Sequence, residues 1–138
     1  MKVQLKLENE AVHFLGHSDT TKATVPIDGS PDIGGQALGV RPMELVLMAV
    51  GSCSALDLLS ILRKQRQEVT DLQIEVDSER VDAIPAVFSS IHIIFRLKGE
   101  INLEKAKKAA ELAVKKYCSV HDMLAAGGVD ITYEVNVA

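Results

Sequence analysis

The chain has 138 residues, of which 47% are hydrophobic, 25% charged and only 4% aromatic, and its formal net charge is −4 at pH 7. An acidic chain with few aromatic rings and no strongly basic block is a poor candidate for binding nucleic acid. No apolar run is expected to approach the ~20 residues of a membrane span, and the N-terminus alternates polar and apolar residues instead of forming a signal-peptide core. We therefore predict a cytoplasmic protein with no membrane partner.

A single domain over residues 1–138 is expected from this length. Its first part, 1–40, is predicted to hold three short strands, over 2–7, 11–15 and 22–27, followed by a Gly-rich loop. Gly34 and Gly39 have the spacing of a phosphate-binding loop, but the Lys-Ser/Thr that should follow is absent. The loop is thus interpreted as a connection, and the remaining part, 41–138, carries the motifs.

The most apolar element is a helix predicted from Pro42 to about Arg66. Proline suits the first helical position, and basic residues near the end suit a helix C-terminus. The run from Met43 to Val50 is apolar almost all round, which indicates a helix that is buried on most sides.

After this central helix the pattern predicts strands over 72–78 and 87–97, a turn over 98–100, an amphipathic helix over 103–117, a short helix after Cys118 and a last strand over 130–137. One face of the strand over 87–97 is predicted to hold its apolar residues: Val87, Ile91, Ile93, Phe95 and Leu97. The apolar face of the helix is predicted to hold Leu103, Ala106, Ala110, Ala113, Val114 and Tyr117. This order of elements indicates an α+β fold with antiparallel sheets packed around a long buried central helix. The central helix is more apolar than one small sheet can cover, and an intertwined homodimer would bury the rest.

Cys53 and Cys118 are the only cysteines, and they are the most reactive groups of the chain. A reducing compartment would keep both as thiols, and from spacing alone they could be inert packing or redox-active groups. His121 follows Cys118 by three residues, so it could polarise that thiol or simply be an exposed polar residue. Two Cys and four scattered His show no zinc-site spacing, and no metal is predicted.

Ser52 and Ser54 flank Cys53 inside the predicted helix. They lack the G-x-S-x-G pattern of a serine nucleophile, which also requires a strand-to-helix turn. We interpret these small residues as positions that let another part of the backbone pack closely and leave Cys53 accessible.

The chain resembles the OsmC/Ohr family of thiol-dependent hydroperoxide reductases in several segments that occur in the family's order. The matching segments are Pro42-Met43-Glu44-Leu45-Val46-Leu47, Gly51-Ser52-Cys53-Ser54, Ser78-Glu79-Arg80 with Pro85 and Phe88, and Tyr117-Cys118-Ser119-Val120. Their combination is far more specific than either cysteine alone.

The resemblance implies an intertwined homodimer with a peroxiredoxin-type activity in the defence against oxidative or osmotic stress. It implies that Cys53 is the peroxidatic thiol, which an organic hydroperoxide oxidises to a sulfenic acid, and that Cys118 is the resolving thiol, which forms a disulfide with it. An external dithiol reductant would restore both thiols, and no cofactor is needed.

Active members of the family place a carboxylate one residue after the helix-opening proline and supply an arginine from the N-terminal strands. Here Met43 occupies the first position, Glu44 falls roughly opposite Cys53 on a straight helix, and no arginine precedes Arg41. The candidate supporting residues are Arg41, Glu44, Asp57, Arg80 and His121. Loss of the activating pair keeps an alternative open: a binding module for a small apolar or sulfur-bearing ligand, or a redox sensor, without efficient turnover.

Overall fold

Helices and two separate three-stranded sheets make up the computed structural model, which describes all residues from Met1 to Ala138. The α+β class predicted from the sequence is confirmed. The chain forms two compact units, Met1–Val46 and Leu47–Ala138, with one sheet in each.

The N-terminal unit contains an antiparallel sheet in the order β1-β2-β3. Its strands are β1 (Val3–Leu7), β2 (Phe14–Ser18) and β3 (Thr24–Ile27). The second strand begins later than predicted because residues 9–13 form a turn, in which Asn9 Oδ1 accepts the backbone N–H groups of Ala11 and His13 at 3.0 and 3.2 Å. A side chain that bonds to its own local backbone competes with strand formation in this way.

A buried carboxylate organises the Gly-rich loop that follows β3. Asp28 is 2% exposed and accepts the backbone N–H groups of Gly29, Gln36 and Leu38 at 2.8, 2.9 and 3.1 Å. The hydrogen bonds from Gln36 and Leu38 are the main reason why the pKa of Asp28 lies below its ordinary value of 3.8. The N–H groups of this loop thus point at an internal carboxylate of the chain.

We expect the Asp28→Asn variant to have a lower melting temperature than the parent at neutral pH, because an amide cannot accept all three N–H groups. The lowered pKa means that the stabilisation by Asp28 is present above pH 3.8 and is lost as the pH falls through the folded-state pKa. Thermal melts followed by circular dichroism across this acidic range should therefore show a difference between parent and variant that shrinks as the pH falls. A difference that stays constant would contradict this account.

Helix α1 (Pro42–Lys64) agrees with the predicted central helix. Its first turn is capped because Glu44 Oε1 accepts the backbone N–H of Arg41 at 2.8 Å, which is one half of a capping box. The expectation that α1 is buried on most sides is wrong for the single chain: Met48 and Leu56 are 51% and 70% exposed. The buried residues form one face: Val50, Gly51, Ser54, Ala55, Leu58 and Leu62.

The expectation that no segment is long and apolar enough for a membrane span is also wrong. Judged by its length and composition alone, α1 is long and apolar enough to cross a membrane. Of its most apolar 18-residue segment, 33% is buried within the chain. The core helix of a globular domain passes the same test when its apolar residues pack on a sheet.

The sheet of the second unit has the order β4-β5-β6. Strands β4 (Glu68–Arg80) and β5 (Phe88–Glu100) are both longer than predicted, and the chain does not turn over 98–100. Gly99 lies within β5 at a φ of 134°, and a Cβ there would meet the Glu68 carbonyl oxygen at 1.9 Å, so the strand can continue only with glycine at this position. The predicted inner face is confirmed for four residues: Ile91, Ile93, Phe95 and Leu97. Val87 precedes the strand and is exposed.

One strand pair departs from the expected antiparallel arrangement. Strand β6 (Asp130–Val137) runs parallel to β5, with Ile93 opposite Tyr133 and Phe95 opposite Val135. A parallel pair requires a crossover connection, and the helices between β5 and β6 supply it.

The crossover begins with α2 (Leu103–Glu111), continues in a π-helical turn (Leu112–Tyr117) and ends with α3 (Ser119–Ala126). The predicted single helix over 103–117 is therefore wrong in its second half, because the wider turn changes the spacing of the inward-facing side chains. Ala106, Ala110, Ala113 and Val114 are buried as expected, whereas Leu103 and Tyr117 are exposed.

Candidate thiol site

Cys53 lies on α1, where the helix packs closely against β4. A Cβ at Gly51 would lie only 2.9 Å from Val76 Cγ2, so a side chain at this position would push the helix away from the strand. Cys53 itself is partly exposed, between the exposed Ser52 and the fully buried Ser54. The expectation that small residues let another part of the backbone pack closely is wrong in its partner, because the close neighbour of Gly51 is the Val76 side chain.

Cys118 connects the π-helical turn to α3 and is 1% exposed. Its backbone is extended, and its sulfur caps α3 by accepting the backbone N–H of His121 at 3.3 Å. The thiol also points toward the carbonyl oxygen of Val50 on α1, with Sγ 4.0 Å from that oxygen. Cys118 thus reaches the same helix that carries Cys53, one turn before Cys53.

The two cysteines are free thiols and close neighbours. Burial raises the pKa of Cys118 above its ordinary value of 9.0, and the adjacent Cys53 acts in the same direction. The Ser54 hydroxyl and the His121 backbone N–H lower this pKa and offset part of the effect. Cys118 is therefore protonated at neutral pH, beside a thiol that solvent can reach.

The other sequence-predicted residues make contacts of different kinds. The His121 ring lies 3.2 Å from Asp122 Oδ1, and the backbone N–H of His121 is the group that donates to the Cys118 sulfur. Arg80 Nε donates to the Ala86 carbonyl oxygen at 2.7 Å, in the loop that follows its own strand. Asp57 is partly buried one helical turn after Cys53.

Arg41 and Glu44 belong to the N-terminal unit, where the contact between them caps α1. Within the second unit, the structure thus brings Cys53, Cys118 and the His121 backbone together. The Arg80 side chain instead donates to the Ala86 carbonyl oxygen in a loop.

Ser54 is the neighbour of the thiols that sequence reasoning missed as a functional candidate. One signal was present: a polar side chain on the buried face of an otherwise apolar helix requires a partner, because burial of an unpaired polar group is unfavourable. In the fold this hydroxyl has no hydrogen-bond partner, and it lowers the pKa of Cys118, which lies far away in the sequence.

Residues 34–134 match the family model described as OsmC-like protein. The chain is 39% identical to Protein YhfA of Escherichia coli over 129 residues, which are 93% of this chain and 92% of that protein. A hypothetical protein from Aquifex aeolicus is 32% identical, with a TM-score of 0.81 and coverage of 99% and 96% of the two chains. An organic hydroperoxide resistance protein OsmC from Legionella pneumophila has a TM-score of 0.72 at 13% identity, with coverage of 99% and 97%, and shows likeness of fold alone.

The chain therefore belongs to the OsmC-like family, which confirms the resemblance seen in its cysteine motifs. The apolar helix α1 is accordingly the core helix of an OsmC-like fold.

Proposed function

We propose that this protein reduces organic hydroperoxides with Cys53 and Cys118 as a two-thiol centre. One observation carries the proposal: an accessible free thiol and a buried free thiol are neighbours, although they lie on different elements of the fold. The name of the Legionella relative, an organic hydroperoxide resistance protein, supports the choice of substrate class.

The proposed reaction has three steps. The Cys53 thiolate attacks one peroxide oxygen, an S–O bond forms, the O–O bond breaks, and the alkoxide leaves as an alcohol after taking up a proton. Cys118 then attacks the sulfenic sulfur of Cys53, an S–S bond forms, and the hydroxyl group leaves as water with the Cys118 proton. An external dithiol reduces this disulfide by exchange and is itself oxidised to a disulfide.

The exposures of the two cysteines suit this order of events. Peroxide must reach the first thiol, and Cys53 is the partly exposed one. The resolving thiol needs protection from direct oxidation, and burial both shields Cys118 and keeps it protonated until Cys53 has been oxidised.

Thiol counting after addition of one equivalent of an organic hydroperoxide to the reduced protein tests the proposed function. We expect rapid loss of both thiols and an intact mass that corresponds to one Cys53–Cys118 disulfide within a single chain. Oxidation no faster than that of a free thiol in solution would contradict the proposal and favour a ligand-binding member of the family.

A redox sensor is the second candidate function, and the raised pKa of Cys118 favours it. A small thiolate fraction slows attack on the sulfenic acid, and a buried sulfur is slow to exchange with a reductant. The result that supports a sensor is a disulfide that forms once with peroxide and that dithiol donors then fail to reduce.

We further propose that the protein acts as a cytoplasmic homodimer. In the N-terminal unit, one face of the sheet forms an open apolar groove of about 380 Å³ whose lining includes Leu5, Val25 and Leu45. Val3, Leu5 and Leu7 of β1 are all exposed, as are Met48 and Leu56 of α1. Exposed apolar surface of this kind in each unit marks an interaction site, and a second copy of the chain would supply a matching apolar helix.

Sedimentation equilibrium should accordingly show a dimer at micromolar concentration, because burial of these side chains stabilises the association. As a check on the interface, we expect Leu5→Glu to shift the population toward a monomer. A parent protein that sediments as a stable folded monomer would contradict this proposal.

A further inference from the structure

The two serines beside Cys53 differ sharply in their hydrogen bonds. A serine within a helix commonly donates to the carbonyl oxygen four residues earlier, and Ser52 does so, with its Oγ 2.6 Å from the Met48 oxygen. Ser54 is fully buried, and its Oγ has no hydrogen-bond partner. The corresponding carbonyl for Ser54 is that of Val50, which is the group that the Cys118 thiol faces at 4.0 Å.

Ser54 therefore has a hydroxyl that does not bond to its usual helical partner, the Val50 carbonyl oxygen, and the Cys118 sulfur lies against that same carbonyl. An unpaired buried hydroxyl is unfavourable for folding, and its presence calls for an explanation other than stability. The hydroxyl is near enough to the Cys118 sulfur to lower the pKa of that thiol, even though no hydrogen bond of normal geometry is made in the reduced protein.

We propose that Ser54 is a catalytic residue whose hydroxyl donates a hydrogen bond to the Cys118 sulfur as this sulfur loses its proton and attacks the oxidised Cys53. The inference rests on the proposed two-thiol function and adds a third group to its site. The neutral Cys118 thiol presents little charge to the hydroxyl, whereas the thiolate is a strong acceptor. The hydrogen bond thus forms fully only when negative charge develops on the sulfur.

This role assists the second chemical step. Cys118 loses its proton to the departing hydroxyl group, which leaves as water, while its sulfur forms the S–S bond. Two donors then stabilise the developing charge: the His121 backbone N–H, which already lies 3.3 Å from the sulfur, and the Ser54 hydroxyl. Donors that are held close to where charge appears stabilise a transition state at a small cost of reorganisation. Ser54 thereby offsets the penalty that burial imposes on the Cys118 thiolate.

Ser54→Ala in a Cys53→Ala background tests the inference without any peroxide, because Cys118 is then the sole thiol of the chain. The measurement is the pH dependence of Cys118 alkylation by iodoacetamide. The midpoint of this profile reports the thiolate and does not depend on how easily the reagent enters. Ser52→Ala in the same background is the matched control, since it removes the hydroxyl of the residue that precedes position 53 and leaves Ser54 in place.

We expect Ser54→Ala to move the midpoint upward and to lower the alkylation rate at a fixed pH by about tenfold, as for loss of one hydrogen bond to a charged group. Ser52→Ala should leave the midpoint unchanged. In the chain with both cysteines, Ser54→Ala should slow disulfide formation by a similar factor while the initial oxidation of Cys53 keeps its rate. The melting temperature should be equal to or above that of the parent, because an unpaired buried hydroxyl has been removed.

The possible results separate the role of Ser54 from the proposed reduction of hydroperoxides. An unchanged midpoint in Ser54→Ala, with a raised melting temperature, would overturn the role of Ser54 and leave it as an unfavourable packing residue, whether or not the parent reduces peroxides. A raised midpoint in a protein that does not react with hydroperoxides would support the Ser54–Cys118 interaction and refute the proposed substrate.

Discussion

Replacement of Cys53 by serine is expected to reduce organic hydroperoxide consumption to the rate of a protein-free control. A serine hydroxyl is not ionised at neutral pH and is not oxidised by peroxide, whereas a thiolate is a strong nucleophile. Cys53 is also the cysteine that solvent reaches, since Cys118 is 1% exposed. The measurement is the initial rate of peroxide loss with a dithiol donor in excess.

The Ser52→Ala variant is the control for this experiment, because it changes the neighbouring exposed position and leaves both thiols in place. It should consume peroxide at the parent rate. The circular dichroism spectrum of Cys53→Ser should match that of the parent, because serine differs from cysteine by one atom. Unchanged turnover in Cys53→Ser would show that Cys53 is not the nucleophile.

Replacement of Cys118 by serine is expected to preserve the first oxidation and to block the second step. One equivalent of hydroperoxide should convert Cys53 into a sulfenic acid that accumulates, because no second thiol of the chain can condense with it. Labelling with a sulfenic-acid reagent and intact-mass analysis should therefore detect a stoichiometric adduct on Cys53. The disulfide within the chain should be absent.

The capping role of Cys118 makes this variant a well-controlled one. Serine is a favourable residue at a helix N-cap, so its hydroxyl can accept the His121 N–H that the sulfur accepts in the parent. We therefore expect α3 to remain folded, with a melting temperature close to that of the parent. A Cys118→Ser protein that yields no trappable sulfenic acid, although it is folded, would refute the two-step route.

Local patterns were sufficient to predict most of the elements of this protein. The alternation over 72–78 and the inward face of β5 identified two strands, and the proline and the apolar run after it identified α1. Such patterns depend on periodicity along one segment, which burial on one face imposes directly on the sequence. The cysteine motifs were specific enough to indicate the OsmC-like family, which the match over 34–134 confirms.

The errors lie where distant parts of the chain compete with local preference. The backbone approach between Gly99 and Glu68 carries β5 past the predicted turn, and the π-helical turn before Cys118 interrupts an otherwise regular amphipathic helix. The exposed side of α1 likewise differs from a pattern that indicated burial on most sides, because one small sheet covers a single face of the helix.

By itself the sequence determined the fold class, the central helix and the presence of two thiols in motif context, since each depends on residues close together in the chain. Only the tertiary structure decided that Cys118 reaches the Val50 carbonyl across 68 residues, that it is buried while Cys53 is accessible, and that Ser54 carries a buried hydroxyl without a hydrogen-bond partner. The parallel pairing of β6 with β5 was likewise decided only by the tertiary structure. Contacts between distant segments are selected by how the whole core packs, and packing of that kind leaves no periodic mark in the sequence.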